Sequence, residues 1–180
     1  MRCGGIVGTP IPQKRNRGQI WGIVGYFMSR YIFDTREKRN EHIKAYFEKH
    51  GIEYEVKKLD VGDYQIEGKP QISVDRKRNL QELSKNLMNA KDHSRFWKEV
   101  RRAREQKIKL FVLVEHGGQI KSIEDVAKWT DKYSGVSGRN LANEIYRVHI
   151  AYGAEFLFCD KRSTARKIIE ILERNDEHTE

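Results

Sequence analysis

Leu59-Asp60-Val61-Gly62-Asp63-Tyr64-Gln65-Ile66-Glu67-Gly68-Lys69-Pro70-Gln71-Ile72-Ser73-Val74-Asp75-Arg76-Lys77 is the stretch from which the rest of this 180-residue chain can be read. Gly62–Ile66 and Gln71–Asp75 have the composition of two strands, and Glu67-Gly68-Lys69-Pro70 between them has that of a turn, so the segment predicts a β-hairpin. Residues two apart in an extended strand face the same way. Asp75 and Lys77 therefore share one face, and Val74 and Arg76 share the other. Asp63 lies on the opposite arm and comes alongside Asp75. Two carboxylates and a lysine on one surface suit metal-assisted hydrolysis of a phosphodiester. The carboxylates supply oxygen ligands to a hard divalent cation, and the lysine orients the attacking water. Spacing of this kind is common, however, and on spacing alone a surface ion pair on an edge strand is the better account.

Working outward from the hairpin, the punctuation is regular. Upstream, Tyr31-Ile32-Phe33 predicts a short strand ending at Asp34, Glu37–His50 a helix stopped by Gly51, and Ile52–Leu59 a strand. Downstream, Asn79–Asn89 and His93–Lys107 predict two helices. Leu110-Phe111-Val112-Leu113-Val114 is an unbroken apolar run, the mark of a strand buried on both faces. Helices over Ser122–Trp129 and Arg139–Tyr152, a strand over Glu155–Cys159 and a helix over Ala165–Leu172 complete the order. Helices and strands in this alternation predict one α/β domain, a mixed central sheet flanked by helices on both faces. Asp34 and Glu115 fall at strand ends. With Asp63 and Asp75 they would make four carboxylates at neighbouring strand ends, a set suited to a divalent cation.

The bulk properties narrow the partners. Formal charge is +9, from 35 basic and 26 acidic residues, which favours a polyanion such as nucleic acid. Two cysteines, Cys3 and Cys159, give neither a disulfide framework nor a zinc spacing and suit an intracellular setting. No apolar run is long enough for a membrane span, and no secretory leader is expected. Residues 1–29 read as a flexible basic arm carrying Lys14, Arg15 and Arg17, residues 30–174 as the folded domain, and 175–180 as a polar tail.

Three ordered motifs then add a resemblance. Asp34-Thr35-Arg36-Glu37, Leu59-Asp60-Val61-Gly62-Asp63-Tyr64 and Val74-Asp75-Arg76-Lys77 resemble the signatures of the XPF/Hef-type structure-specific nucleases, of the PD-(D/E)XK superfamily. Leu113-Val114-Glu115 and Tyr152–Phe158 continue the likeness, which covers roughly residues 31–172. It implies a restriction-endonuclease-like fold, dependence on Mg²⁺ or Mn²⁺ with no organic cofactor, and cutting of branched DNA such as flaps, forks or splayed arms. By position it implies that Asp34, Asp63 and Asp75 are metal-site carboxylates and that Lys77 orients the water. Arg36 and Arg76 would contact phosphate or brace the carboxylates. The strand argument sends Arg76 to the face opposite Asp75, which favours bracing. Two departures stand out: Asp75 replaces the family's glutamate, and Gln81 replaces its final aspartate. Nothing after Leu172 resembles the tandem helix-hairpin-helix that many members carry.

Lys91–Lys109 holds eight basic residues against three acids, among them Arg95, Lys98, Arg101 and Arg102, the candidate phosphate-tracking surface. The apolar stripe on Arg139–Tyr152 reads first as core, and the resemblance implies a homodimer through that half of the domain. A compact form of this kind suits a bacterial or phage cytoplasm. Two other readings compete with an active endonuclease: a non-catalytic DNA-binding or scaffold partner, and a junction resolvase on the same fold.

Overall fold

β1 (Tyr31–Phe33), β2 (Tyr54–Val56), β3 (Tyr64–Ile66), β4 (Lys69–Lys77), β5 (Lys109–Glu115) and β6 (Glu155–Cys159) form one sheet in the order β2-β1-β3-β4-β5-β6. The computed structural model describes residues 30–131 and 135–174, without the side chains of 90–93. The expected arm 1–29 with Lys14, Arg15 and Arg17, and the tail 175–180, lie outside the described residues. The sheet is mixed. β1 pairs antiparallel with β3 and β3 with β4, whereas β1–β2, β4–β5 and β5–β6 are parallel.

The helices are α1 (Glu41–Lys49), α2 (Leu80–Met88), α3 (Ala90–Glu105), α4 (Ile123–Val126), α5 (Gly138–Tyr152) and α6 (Thr164–Leu172). β5 shows how they are laid on the sheet. Its Leu110, Val112 and Val114 pack with side chains of α2, α3 and α5, while Phe111 and Leu113 pack with those of α1 and α6. A strand covered on both faces has no use for polar alternation, which explains the continuous apolar run. On the α1 side Phe47 is fully buried and meets Tyr31 and Phe33 edge-on, with centroids 5.1 and 5.0 Å away. Burying such a ring stabilises by about 2–3 kcal/mol.

Several boundaries differ from the sequence reading, and three of them have a visible cause. The first helix begins at Glu41 rather than Glu37, because Asp34 organises a turn: its carboxylate accepts from the Arg36 N–H (2.7 Å) and its carbonyl from the Glu37 N–H (3.1 Å). Arg39 then takes φ +59°, which a right-handed helix cannot contain. The strand expected over residues 52–59 pairs only at Tyr54–Val56, since its partner β1 is three residues long. The hairpin turn is two residues rather than four, because Ile66 pairs with Lys69 and Gly68 takes φ +76°.

Candidate active site

The hairpin reaches the site through a bend at Gly62. Its φ is +71°, and a Cβ there would lie 2.1 Å from Ser73 Oγ and 2.9 Å from the Val74 carbonyl oxygen. Only glycine fits that conformation and that approach. Ser73 Oγ, pushed close by the bend, donates to the Val61 carbonyl (2.7 Å), and the Asp63 N–H donates to Val74 O (2.7 Å). One step past the Tyr64–Val74 pair, Asp63 stands beside Asp75, and its Oδ2 accepts from the Arg76 backbone N–H (2.8 Å).

On β4 the alternation is as the sequence predicts. Ile72 and Val74 enter the core under α1 and α6, and Arg76 follows them to that side. Its guanidinium, 1% exposed, donates to Glu37 through Nε (2.8 Å) and stands 3.0 Å from Glu115 through Nη1. A guanidinium so enclosed cannot reach a phosphate; it braces the strand end. Asp75 and Lys77 go to the other side. Lys77 Nζ lies 2.8 Å from Asp75 Oδ1 and 2.7 Å from Oδ2, and 5.3 Å from the Phe96 ring centroid of α3. Both side chains are nearly buried, yet Asp75 Oδ2 has no donor aligned with it. A buried carboxylate oxygen left in that state is costly unless something else satisfies it.

Two expected metal carboxylates are engaged elsewhere. Asp34 Oδ1 accepts from the Arg36 N–H (2.7 Å) and Nε (2.7 Å), and Oδ2 accepts from Arg36 Nη2 (3.0 Å) and the Leu59 N–H (2.6 Å). Four hydrogen bonds use the lone pairs of both oxygens. Glu115 shares the parity of Phe111 and Leu113, so it lies on the side of the sheet away from Asp75, where it meets Arg76 and, at 2.7 Å, His42 Nε2. Among the described residues no three His, Cys, Asp or Glu side chains stand close enough to enclose a metal, so the expected convergence of Asp34, Asp63, Asp75 and Glu115 does not form. Neither strand-end position nor motif order carried the parity that separates Glu115 from Asp75.

A cleft of about 420 Å³ opens over Asp63, Asp75 and Lys77. Arg36 lines it, as do the exposed Arg95, Lys98 and Arg102 of α3, whereas Arg101 turns back toward the Trp97 carbonyl and is not part of the lining. Gln81 is not in the lining either. Glu82 is, but its carboxylate is held by Arg78 at 2.7 Å. The residue missed by the sequence reading is Glu99, whose Oε1 accepts from the Gly62 N–H at 2.8 Å. A single acid between Arg95, Lys98 and Arg102 on one helical face was the signal available for it.

The electrostatics are those of crowded negative charge. Burial raises the Asp63 carboxyl well above the usual range, and Asp75 and Glu37 raise it further against the pull of Lys77 and the Arg76 N–H. Burial, then Asp75, raises Glu99 as well, opposed by Lys77. Lys77 moves the other way: burial disfavours its charge, but Asp75, Asp63 and Glu99 together hold it firmly protonated. A divalent cation fits this arrangement, because two carboxylates lining one cleft, with only Lys77 paired to Asp75, match an ion that keeps most of its waters.

A family model described as the ERCC4 domain matches residues 33–171, nearly the whole described fold. The chain belongs to the ERCC4 domain family. Among solved structures this ERCC4 domain is similar to XPF from Aeropyrum pernix, with a TM-score of 0.60 and 24% identity over 79% of this chain and 63% of that chain. The same Aeropyrum protein in complex with DNA gives a TM-score of 0.59 and 24% identity over 80% of this chain and 63% of that one. The chain thus spans about 63% of the length of the XPF chains it matches. No curated protein sequence matches it. The fold is the XPF-type, restriction-endonuclease-like mixed α/β fold. Among the described residues no helix is long and apolar enough to cross a membrane.

Proposed function

We propose that this ERCC4 domain is a Mg²⁺- or Mn²⁺-dependent endonuclease that hydrolyses DNA phosphodiesters and prefers branched substrates. The observation that carries the reading is the buried Asp75–Lys77 pair, which lines with Asp63 a cleft also lined by basic side chains. Asp63 and Asp75 would hold the cation, which neutralises the scissile phosphate and lowers the pKa of a bound water. Lys77, kept charged by its carboxylate neighbours, donates hydrogen bonds that orient the attacking water. Arg36, Arg95, Lys98 and Arg102 bind the DNA backbone on either side, and Arg76 holds Asp63 in place through its backbone N–H. Asp34 acts at one remove by fixing Arg36.

DNA as the substrate is supported by the family and by the structure of its Aeropyrum relative with DNA, and preference for a branch by the likeness of the three ordered motifs to those of structure-specific nucleases. A homodimer is the companion proposal. It is supported by Ile150, 81% exposed on α5 beside the partly exposed Tyr146, whereas most large apolar side chains among the described residues are covered. A non-catalytic scaffold would have no need of a buried lysine paired with the Asp75 carboxylate at the floor of a basic cleft. The test is cleavage of labelled flap, fork, four-way junction and plain duplex DNA with Mg²⁺ or Mn²⁺. Cutting of flap or fork near the junction, well above plain duplex, is expected. Equal cutting of all four would remove the branch preference, and no cutting with either metal would remove the nuclease reading.

A further inference from the structure

Glu99 belongs to α3, not to the hairpin, yet it faces the same cleft as Asp63 and Asp75. One oxygen, Oε1, is committed to the Gly62 N–H at 2.8 Å, which fixes the side chain next to the bend that presents Asp63. Its neighbours in charge are Asp75, Lys77 and Arg36. Asp63, Asp75 and Glu99 bring three carboxyl groups to the cleft beside the one ammonium of Lys77, which pairs with Asp75. That leaves oxygen acceptors which a hydrated divalent ion would use.

Gln81 at the start of α2 is neutral and outside the cleft lining. Glu82, next to it, is neutralised by Arg78. No other glutamate or aspartate in the lining combines a tether on the Asp63 bend with proximity to Asp75. Glu37 is tied to Arg76, and Asp60 is exposed at the rim. Since no three carboxylates among the described residues are close enough to enclose an ion directly, Glu99 would act through the ion's hydration shell. A Mg²⁺-sized cation commonly takes one or two protein carboxylates and keeps several waters, so a third carboxylate reaches it by accepting from those waters.

From this geometry we infer that Glu99 is a further carboxylate of the cation site, binding the hydrated ion through its second oxygen while its first pins the Gly62 bend. The inference rests on the metal-dependent nuclease reading above and adds a residue to it. The test is Mn²⁺ binding to the DNA-free protein, followed by calorimetry and by the Mn²⁺ spin-resonance signal, in the parent and in Glu99→Gln. Glutamine keeps an acceptor for the Gly62 N–H and removes only the charge.

Mn²⁺ affinity is expected to fall about tenfold or more in Glu99→Gln, as for other groups that hold a metal's water. Glu99→Ala, which also drops the Gly62 bond, gives a second reading and is expected to bind no more tightly than Glu99→Gln. Either variant binding Mn²⁺ with the parent's affinity would overturn the role of Glu99 and leave the nuclease reading standing. A parent that binds no Mn²⁺ would overturn both.

Discussion

Asp34 accepts four hydrogen bonds within 3.0 Å, whereas Asp75, two strands away, keeps one oxygen without an aligned donor. The two residues therefore answer differently to pH and to substitution. Burial opposes ionisation of Asp34, but the bonds from Arg36 and from the Leu59 and Arg36 N–H groups outweigh it and hold its carboxyl below the ordinary 3.8. A depressed folded value stabilises the protein above the unfolded value, and that stability is lost as pH falls through the folded one. Asp34→Asn is thus expected to cost on the order of 1–3 kcal/mol near pH 6. The deficit should shrink below about pH 3.8, in urea melts of parent and variant run at several pH values. A deficit independent of pH would show that charge is not what Asp34 contributes.

At the scale of elements, the β3–β4 bend and α3 each carry a prediction. Gly62→Ala places a Cβ against Ser73 Oγ and Val74 O at a positive φ. It is expected to destabilise by at least about 1–2 kcal/mol, measured by denaturant unfolding, and to lower cleavage by shifting Asp63. Replacing Arg95, Lys98 and Arg102 of α3 together with alanine should weaken binding to every DNA sequence alike. It should also flatten the log–log salt dependence by about 2.7 on duplex DNA, measured by fluorescence anisotropy with metal omitted; an unchanged slope would place the DNA elsewhere. Much at this scale was legible beforehand. Period-two alternation put Asp75 with Lys77 and turned Arg76 away, and the unbroken run 110–114 marked the central strand. What was not legible depends on contacts distant in sequence. Glu99 reaches Gly62 from 37 residues along the chain, and the start of the first helix is set by a side-chain turn at Asp34. Glu115 is the instructive error. Its parity with Leu113 is readable from the sequence and sends it away from Asp75, whereas strand-end position alone does not tell the two faces of the sheet apart.

For the whole molecule, the family match over residues 33–171 nearly coincides with the described fold, and the formal charge of +9 favours a polyanionic partner. Assembly is the property to test at this scale. Ile150→Asp on α5 is expected to shift the mass seen by light scattering from a dimer toward the 21.2 kDa of one chain, with little change in melting temperature. A parent already at one chain's mass would remove the homodimer. The central claim, that Asp75 and Lys77 form a metal-dependent cutting centre, is tested most directly by one measurement. This is the single-turnover cleavage rate of a labelled fork in Mg²⁺ for parent, Asp75→Asn and Lys77→Ala, with folding and DNA binding checked in parallel. Each variant is expected to fold and bind the fork yet cut it at least about a hundredfold more slowly. Variants that cut at the parent's rate would contradict that claim.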